Sequence, residues 1–297
     1  MDFDSKHDTT HQFDHSNVGQ SSQPADYNGP PPYDAAAAGS SNVDYDTIAA
    51  SAQRCNFFLE RHGGSSIKGA WQVDTSLVHV PTNYLQPLSD CNGFWNGMDK
   101  NSIKERRKGR PLYGPVLDNA GVRPNLMLWT RSGRIDGDVY VNSGDGTPRM
   151  AVIVAESKED SVKLRVGAGP NQPLRLYAYS REGSVRVWIP KDFQGVVSLS
   201  TEEGSLHVAE EVKSCLTILS SAKRFQRCYL GDVQGLNFGA TSTSDGEDPM
   251  NGWAGPLIQL TSREGSIYLS FFDKDKKDKK DTMSNIVDAI TSAFDFL

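Results

Sequence analysis

The chain has 297 residues, 37% hydrophobic and 23% charged, with 31 Lys and Arg against 37 Asp and Glu. That apolar content suffices for one large domain or two small ones and excludes a wholly disordered chain. No run approaches the ~18 apolar residues of a membrane-spanning helix, and Met1-Asp2-Phe3-Asp4 opens no secretory signal peptide.

The charge is unevenly placed. Residues 1–50 carry eight Asp and one basic residue, Lys6, whereas the remainder has 30 Lys and Arg against 29 Asp and Glu. Neither part has the positive field that attracts nucleic acid, so nucleic acid is not an expected partner. The four cysteines form no Cys-x-x-Cys pair and no Asn-x-Ser/Thr sequon occurs, which predicts reduced thiols and a cytoplasmic location.

Residues 1–54 read as a disordered acidic tail. The first 50 contain no Leu and are rich in Asp, Ser, Asn and Gly, too little apolar material to offset the entropy of ordering. Within the tail, Pro30-Pro31-Pro32-Tyr33 resembles the Pro-Pro-x-Tyr ligand of WW domains. Consecutive prolines pre-set a polyproline II helix, so docking into an aromatic groove orders little further backbone. The resemblance makes Pro30, Pro31 and Tyr33 candidate partner-binding residues and implies a WW-domain partner, such as a HECT-type ubiquitin ligase. His7, His11 and His15 would share a face only on a helix, which Thr9, Thr10 and the neighbouring Asp residues disfavour; no metal or cofactor site is expected there.

Residues 55–272 form a β-repeat domain. Leu126 to Ile135, Leu174 to Val187, Val197 to Val208 and Ile258 to Leu269 each read as an alternating strand, a polar turn ending in Gly, and a second alternating strand. Glycine at the end of the turn fits a residue with positive φ, as in a turn closed by a bulge. Weaker copies run over Val152–Leu164, with Asp160 in place of glycine, and over Phe57–Val73, with Gly64 at the turn. The turn positions 133, 160, 183 and 204 are 27, 23 and 21 residues apart, and 265 follows 61 later, room for about three such units. The pattern predicts an all-β fold of strand–turn units stacked as a β-solenoid-like domain. An irregular β-sandwich is the alternative, since each repeat could also close as a hairpin.

These Thr/Ser-x-x-Gly-x-Ile/Val repeats resemble adhesin-type β-solenoid domains of unknown function. The wider layout, a Pro-rich tail before the Ile-x-Gly-x-Trp-x-Val-Asp segment Ile67–Asp74, is similar to uncharacterised proteins of mushroom-forming fungi that carry a domain of unknown function. The resemblance covers roughly residues 30–272 and implies the fold rather than an activity.

A search for chemistry finds little. His62, His79 and His207 are far apart, and there is no His-Glu-x-x-His and no Gly-x-Ser-x-Gly. Pro170 after Gly167-Ala-Gly169 rules out a Rossmann helix start. Asp136, Asp138, Asn142 and Asp145 miss the EF-hand spacing and read as turn formers. Lys104, Arg106, Arg107, Lys108 and Arg110, placed on a loop before Pro111, form a candidate patch for an anionic ligand, or a solvated loop.

Residues 273–281 are a charged spacer. In 282–297 Met283, Ile286, Val287, Ile290, Phe294 and Leu297 mark one face of an amphipathic helix, which would cap the β-stack or dock on a partner. A membrane surface ranks third, because Asp288 and Asp295 stand where interfacial helices carry Lys or Arg. The combined expectation is a non-enzymatic interaction or adaptor protein with no cofactor. A carbohydrate-active or other enzyme on a β-solenoid, or a peripheral membrane protein, is the alternative.

Overall fold

The computed structural model describes residues 52–107, 121–233 and 253–272. The Pro30–Tyr33 motif, the N-terminal histidines, Lys108, Arg110 and the 282–297 helix expectation lie outside those residues.

The described residues form fifteen strands, in chain order β1 Gln53–Cys55, β2 Phe58–His62, β3 Ile67–Asp74, β4 Leu126–Thr130, β5 Ile135–Asn142, β6 Ala151–Ser157, β7 Val162–Ala168, β8 Leu174–Ser180, β9 Val185–Ile189, β10 Gly195–Thr201, β11 Leu206–Val208, β12 Leu216–Ala222, β13 Phe225–Leu230, β14 Leu257–Ser262 and β15 Ile267–Phe271. The fold is all-β. Sheet A has the order β1-β3-β5-β7-β9-β15-β11 and sheet B the order β12-β13-β10-β14-β8-β6-β4-β2.

Each repeat sends its first strand into sheet B and its second into sheet A, so its two halves do not pair with each other as a hairpin would. The described residues hold six such units: I (β2–β3), II (β4–β5), III (β6–β7), IV (β8–β9), V (β10–β11) and VI (β14–β15). Equivalent strands of neighbouring units lie parallel and in register. Ile67, Ile135, Val162, Val185, Ile267 and Leu206 form one such row along sheet A. These rows, with Leu126, Ile153, Leu176, Ile258 and Val197 from sheet B, make the main core between the sheets.

Stacking order differs from chain order. Unit VI enters between IV and V, with β14 pairing to both β8 and β10. The described part of the 61 residues between the turns at 204 and 265 holds β11, a short helix at Glu210–Lys213, the β12–β13 hairpin and β14, the first strand of unit VI, rather than three units. A solenoid whose coils follow one another along the chain would not have this arrangement.

The turns are joined by one repeated pair of hydrogen bonds. In every unit after the first, the Ser or Thr ending the sheet B strand accepts the amide of the residue three further on and donates to a carbonyl of the turn below. The hydroxyls of Thr130, Ser157, Ser180, Ser262 and Thr201 accept from Gly133, Asp160, Gly183, Gly265 and Gly204 and donate to Ser65, Gly133, Asp160, Gly183 and Gly265, all at 2.8–3.1 Å. Their order reproduces the stacking order, with Ser262 between Ser180 and Thr201.

This ladder corrects the expected role of the turn glycines. None of Gly133, Gly183, Gly204 and Gly265 has a positive φ. A Cβ on Gly133 would overlap the Ser65 carbonyl, and one on Gly183, Gly265 or Gly204 would overlap the backbone of the turn below it. Close approach between stacked turns, not backbone handedness, selects glycine. In unit I, Ser65 rather than Gly64 stands opposite Gly133, with Ile67 aligned to Ile135. Unit I closes its end of sheet B, and among the described residues no turn lies beneath Ser65. Asp160 carries a Cβ at a stacked level, and its carboxylate turns back to accept the Ser161 hydroxyl at 3.1 Å.

A second packing device explains the Ile-x-Gly-x-Trp motif. Trp71 is 3% exposed, and its indole lies over Gly69 and Gly137, where a Cβ would meet the ring at 3.1 and 2.9 Å. The two glycines make room for one large ring in the core.

The sheets differ in burial. Sheet A alternates as the sequence predicts, with β5 buried and half-buried at successive positions. In sheet B, β6, β10 and β14 are buried at every position, so both faces are covered. The insertion between units I and II supplies part of that cover: Cys91 and Trp95 join Met127, Val154, Tyr177 and Leu257 in a second core on the outer face of sheet B.

Gly183→Ala should lower the unfolding free energy by about 1–3 kcal/mol through overpacking against the Asp160 backbone. Gly64→Ala, whose Cβ meets nothing within 4 Å, should stay within about 0.5 kcal/mol of wild type. Urea unfolding midpoints check this, and equal midpoints for the two variants would remove close approach as the reason for glycine.

Candidate functional site

Along β6, Ala151, Ile153, Ala155 and Ser157 face sheet A, so Val152, Val154 and Glu156 face outward, beneath the insertion. Glu156 is 3% exposed. Its carboxylate accepts the backbone amides of Trp95 at 2.6 Å and Phe94 at 3.1 Å, at the start of the 3-10 turn Phe94–Asn96. A Cβ on Gly93 would overlap this carboxylate, so glycine is required by contact. The turn is braced from within: the Gly93 and Met98 amides donate to the Asn96 side-chain oxygen at 3.1 and 3.2 Å, and the Trp95 indole donates to the Cys91 carbonyl at 2.9 Å. From sheet B, Tyr179 stacks on Phe94 with centroids 3.9 Å apart, and Tyr177 packs tilted against Trp95.

Burial pushes the Glu156 pKa up to about 7, although the Trp95 and Phe94 amides pull it down. Burial, and then the charge of Glu156, also pushes the Tyr179 hydroxyl above the usual tyrosine range. Beside this pair, Phe94, Tyr179, Ser200, Glu202, Thr261 and Arg263 line a small pocket. Arg263 Nε donates to Glu202 at 2.9 Å on its rim. Ser198 Oγ, Gln259 Oε1 and Thr261 Oγ1 on the same face are buried and lack a hydrogen-bond partner among the described residues. The arrangement is a polar strip sunk in an otherwise apolar sheet face, with the buried Glu156 carboxylate at one end and the Arg263-paired Glu202 on the pocket rim.

The outer face of sheet A is of another kind. Lys163 lies over Trp188 at 5.6 Å, Arg186 over Tyr268 at 4.7 Å, and Tyr268 stacks on His207 at 4.7 Å. These residues come from four strands that pair in register, so cations and rings are carried across the units on a half-exposed surface.

The structure separates the carboxylates that the sequence sets close together. Asp136 and Asp138 both face Arg165, Asp136 at 3.5 Å. Asp145 instead holds Arg149 through two contacts of 2.8 Å. His62, beside Ser65 and Glu60, and His207 stand in units at opposite ends of the stack. Lys104, Arg106 and Arg107 lie on the helix Lys100–Arg107, not on a loop. Asp99 caps that helix by accepting the Ser102 amide at 3.2 Å, and basic residues in the last turn suit the helix dipole. Lys104 and Arg107 are exposed. Cys55, Cys91 and Cys228 are buried and Cys215 is exposed, all four free. Among the described residues, no helix is long and apolar enough to cross a membrane.

Two residues escape the sequence reading. Glu156 could have been noticed as a single carboxylate inside the apolar run of β6. Asp74 closes the end of β3. Burial would raise its pKa, but the Ser76 hydroxyl, the Gly144 amide, Arg54 and the Ser76 amide together hold it down at about 2. Through Arg54 it ties the edge strand β1 to β3, and through Gly144, with an amide contact of 3.0 Å, it ties unit I to unit II.

A family model described as a domain of unknown function (DUF7330) matches residues 111–274. No curated protein matches the chain, and no solved structure does.

The two buried carboxylates set opposite pH limits. Glu156, free near 4.3 in the unfolded chain, titrates at about 7 in the fold, so stability falls as pH rises between those values. Asp74 contributes fully above about 3.9 and loses its contribution as pH drops towards 2. Glu156→Gln should cost about 1–3 kcal/mol at pH 5, because its NH2 group meets an amide N–H, and should abolish the fall between pH 4.3 and 7. Unfolding free energies measured across pH check this; an unchanged fall in the variant would overturn the assignment.

Proposed function

Because the chain belongs to the family described as a domain of unknown function (DUF7330), whose match over residues 111–274 takes in units II to VI, we propose its function from its surfaces: a non-enzymatic interaction module. In this reading the body offers the outer face of sheet A to a ligand or partner, and the tail recruits a WW-domain protein through Pro30, Pro31 and Tyr33 in the cytoplasm.

The observation that carries the body half is the contrast between the two outer faces. The inner strands β6, β10 and β14 of sheet B are buried at every position, and Glu156, a buried carboxylate with a raised pKa on β6, has both oxygens engaged with backbone amides. That use favours a fastener over an acid–base catalyst. Sheet A instead carries Arg186, Trp188, Tyr268 and His207 on a half-exposed or exposed face. Aromatic rings on a rigid sheet lose little conformational freedom on binding, and the cations over them can pair with an anionic or aromatic group.

The tail half rests on an unbroken Pro-Pro-x-Tyr sequence. Calorimetric titration of the full chain against a panel of WW domains should give binding to at least one, and Tyr33→Ala should abolish it. No binding by the wild type, or equal binding by both, would overturn the recruiting role.

A further inference from the structure

The edges of the two sheets are not alike. Sheet A ends in β1 and β11, three residues each, and one end of sheet B is β2, which carries Glu60, Arg61 and His62. Short strands and charged residues are the usual guards against edge-to-edge pairing. The other end of sheet B is β12, Leu216-Thr-Ile-Leu-Ser-Ser-Ala222, with no charge and no proline. Thr217–Ala222 are all exposed; Ile218 is 59% exposed and Leu219 41%.

The edge also overhangs the sandwich. Ile218 shares a row with Cys228 and Val197, the row that faces sheet A. Sheet A stops at β11, which belongs to unit V, so β13 and β12 extend past it. An apolar side chain thus points where the opposite sheet would be, and no strand of this chain stands there among the described residues.

We infer that β12 is a self-association edge, and that a second copy of this chain pairs with it antiparallel about a two-fold axis at Leu219. Three features select that occupant. The strand is neutral, but its ends are not: the helix Glu210–Lys213 precedes it and Lys223–Arg224 form the turn that follows, all exposed except Val212. An antiparallel two-fold brings each copy's basic turn beside the other's Glu210–Lys213 helix, which carries a net charge of −1 with Lys213 paired to Glu210, whereas parallel pairing would place the two basic turns together. The ladder between β12 and β13 is shifted by a bulge between Ile218 and Ser220. A two-fold at Leu219 superimposes the two bulges, so the shared ladder is interrupted once, and Leu216–Ile218 of each copy pairs with Ser220–Ala222 of the other. Finally, Leu219 faces its own copy across the axis, and Ile218, opposite Ser220 of the other copy, lies diagonally from the second Ile218, so these apolar side chains are drawn from water together.

The test is the mass of the full chain in solution. Sedimentation equilibrium over a dilution series should give a species of twice 32.6 kDa that dissociates on dilution. Ile218→Lys and Leu219→Lys, both at exposed positions, should give monomer at every concentration with unchanged circular dichroism and thermal midpoint. In a Cys215→Ser background, Leu219→Cys should form an intermolecular disulfide under mild oxidation. A wild type that is monomeric throughout would overturn the inference, including the case in which β12 accepts a strand from a different protein. A dimer that persists in both lysine variants, or one whose Leu219→Cys form does not cross-link, would overturn it as well.

Discussion

Everything in the body depends on how closely one turn lies on the next. The Ser or Thr hydroxyl at the end of each sheet B strand bonds within its own turn and to the turn below, so two otherwise orphaned backbone groups are satisfied at every level. That double role fixes the height of the step, and the height leaves no space for a side chain at the glycine. Given this spacing, the parallel register of both sheets follows, and so do the continuous rows of Ile, Val and Leu between them.

The same geometry generates a difficulty that the insertion resolves. Units that send apolar residues to both sides of sheet B would leave an exposed apolar face, and the Cys91–Trp95 part of the insertion is folded against it. Trp95 and Cys91 supply the apolar contact. Glu156 supplies direction, because two amides aimed at one carboxylate permit one seating of the Phe94–Asn96 turn. A buried charge is a poor source of net stability, and its clearest attested use is to specify one arrangement among several.

The repeats were legible because period-2 alternation and the Ser/Thr-x-x-Gly spacing are local. Ile135–Val141 and Val185–Val187 could be placed as strands from their own residues. The partner of each strand could not, since pairing between units is non-local: nothing within Val197–Val208 states that β14, some 60 residues later, will separate it from unit IV. The double burial of β6 was visible in Ala-Val-Ile-Val-Ala, yet an uninterrupted apolar run does not name its cover. The basic run Lys104–Arg107 reads as a loop from its charge density, whereas its helix is set by the cap at Asp99, a local signal of one residue outside the run. Glycine was assigned to the right positions for a reason that only the stacked neighbours could correct.

The late entry of unit VI has a kinetic meaning. As synthesis proceeds, unit V becomes available before unit VI exists, and β10 and β8 expose the same kind of parallel edge that each later gives to β14. A provisional pairing of V on IV would satisfy both edges and bury nearly the same rows. Reaching the final order then requires that contact to reopen, with loop closure across some 80 residues between Ser180 and Ser262. An order with V stacked directly on IV would thus compete with the final one for the same two edges, because β8 and β10 each give to β14 the edge they would otherwise offer each other.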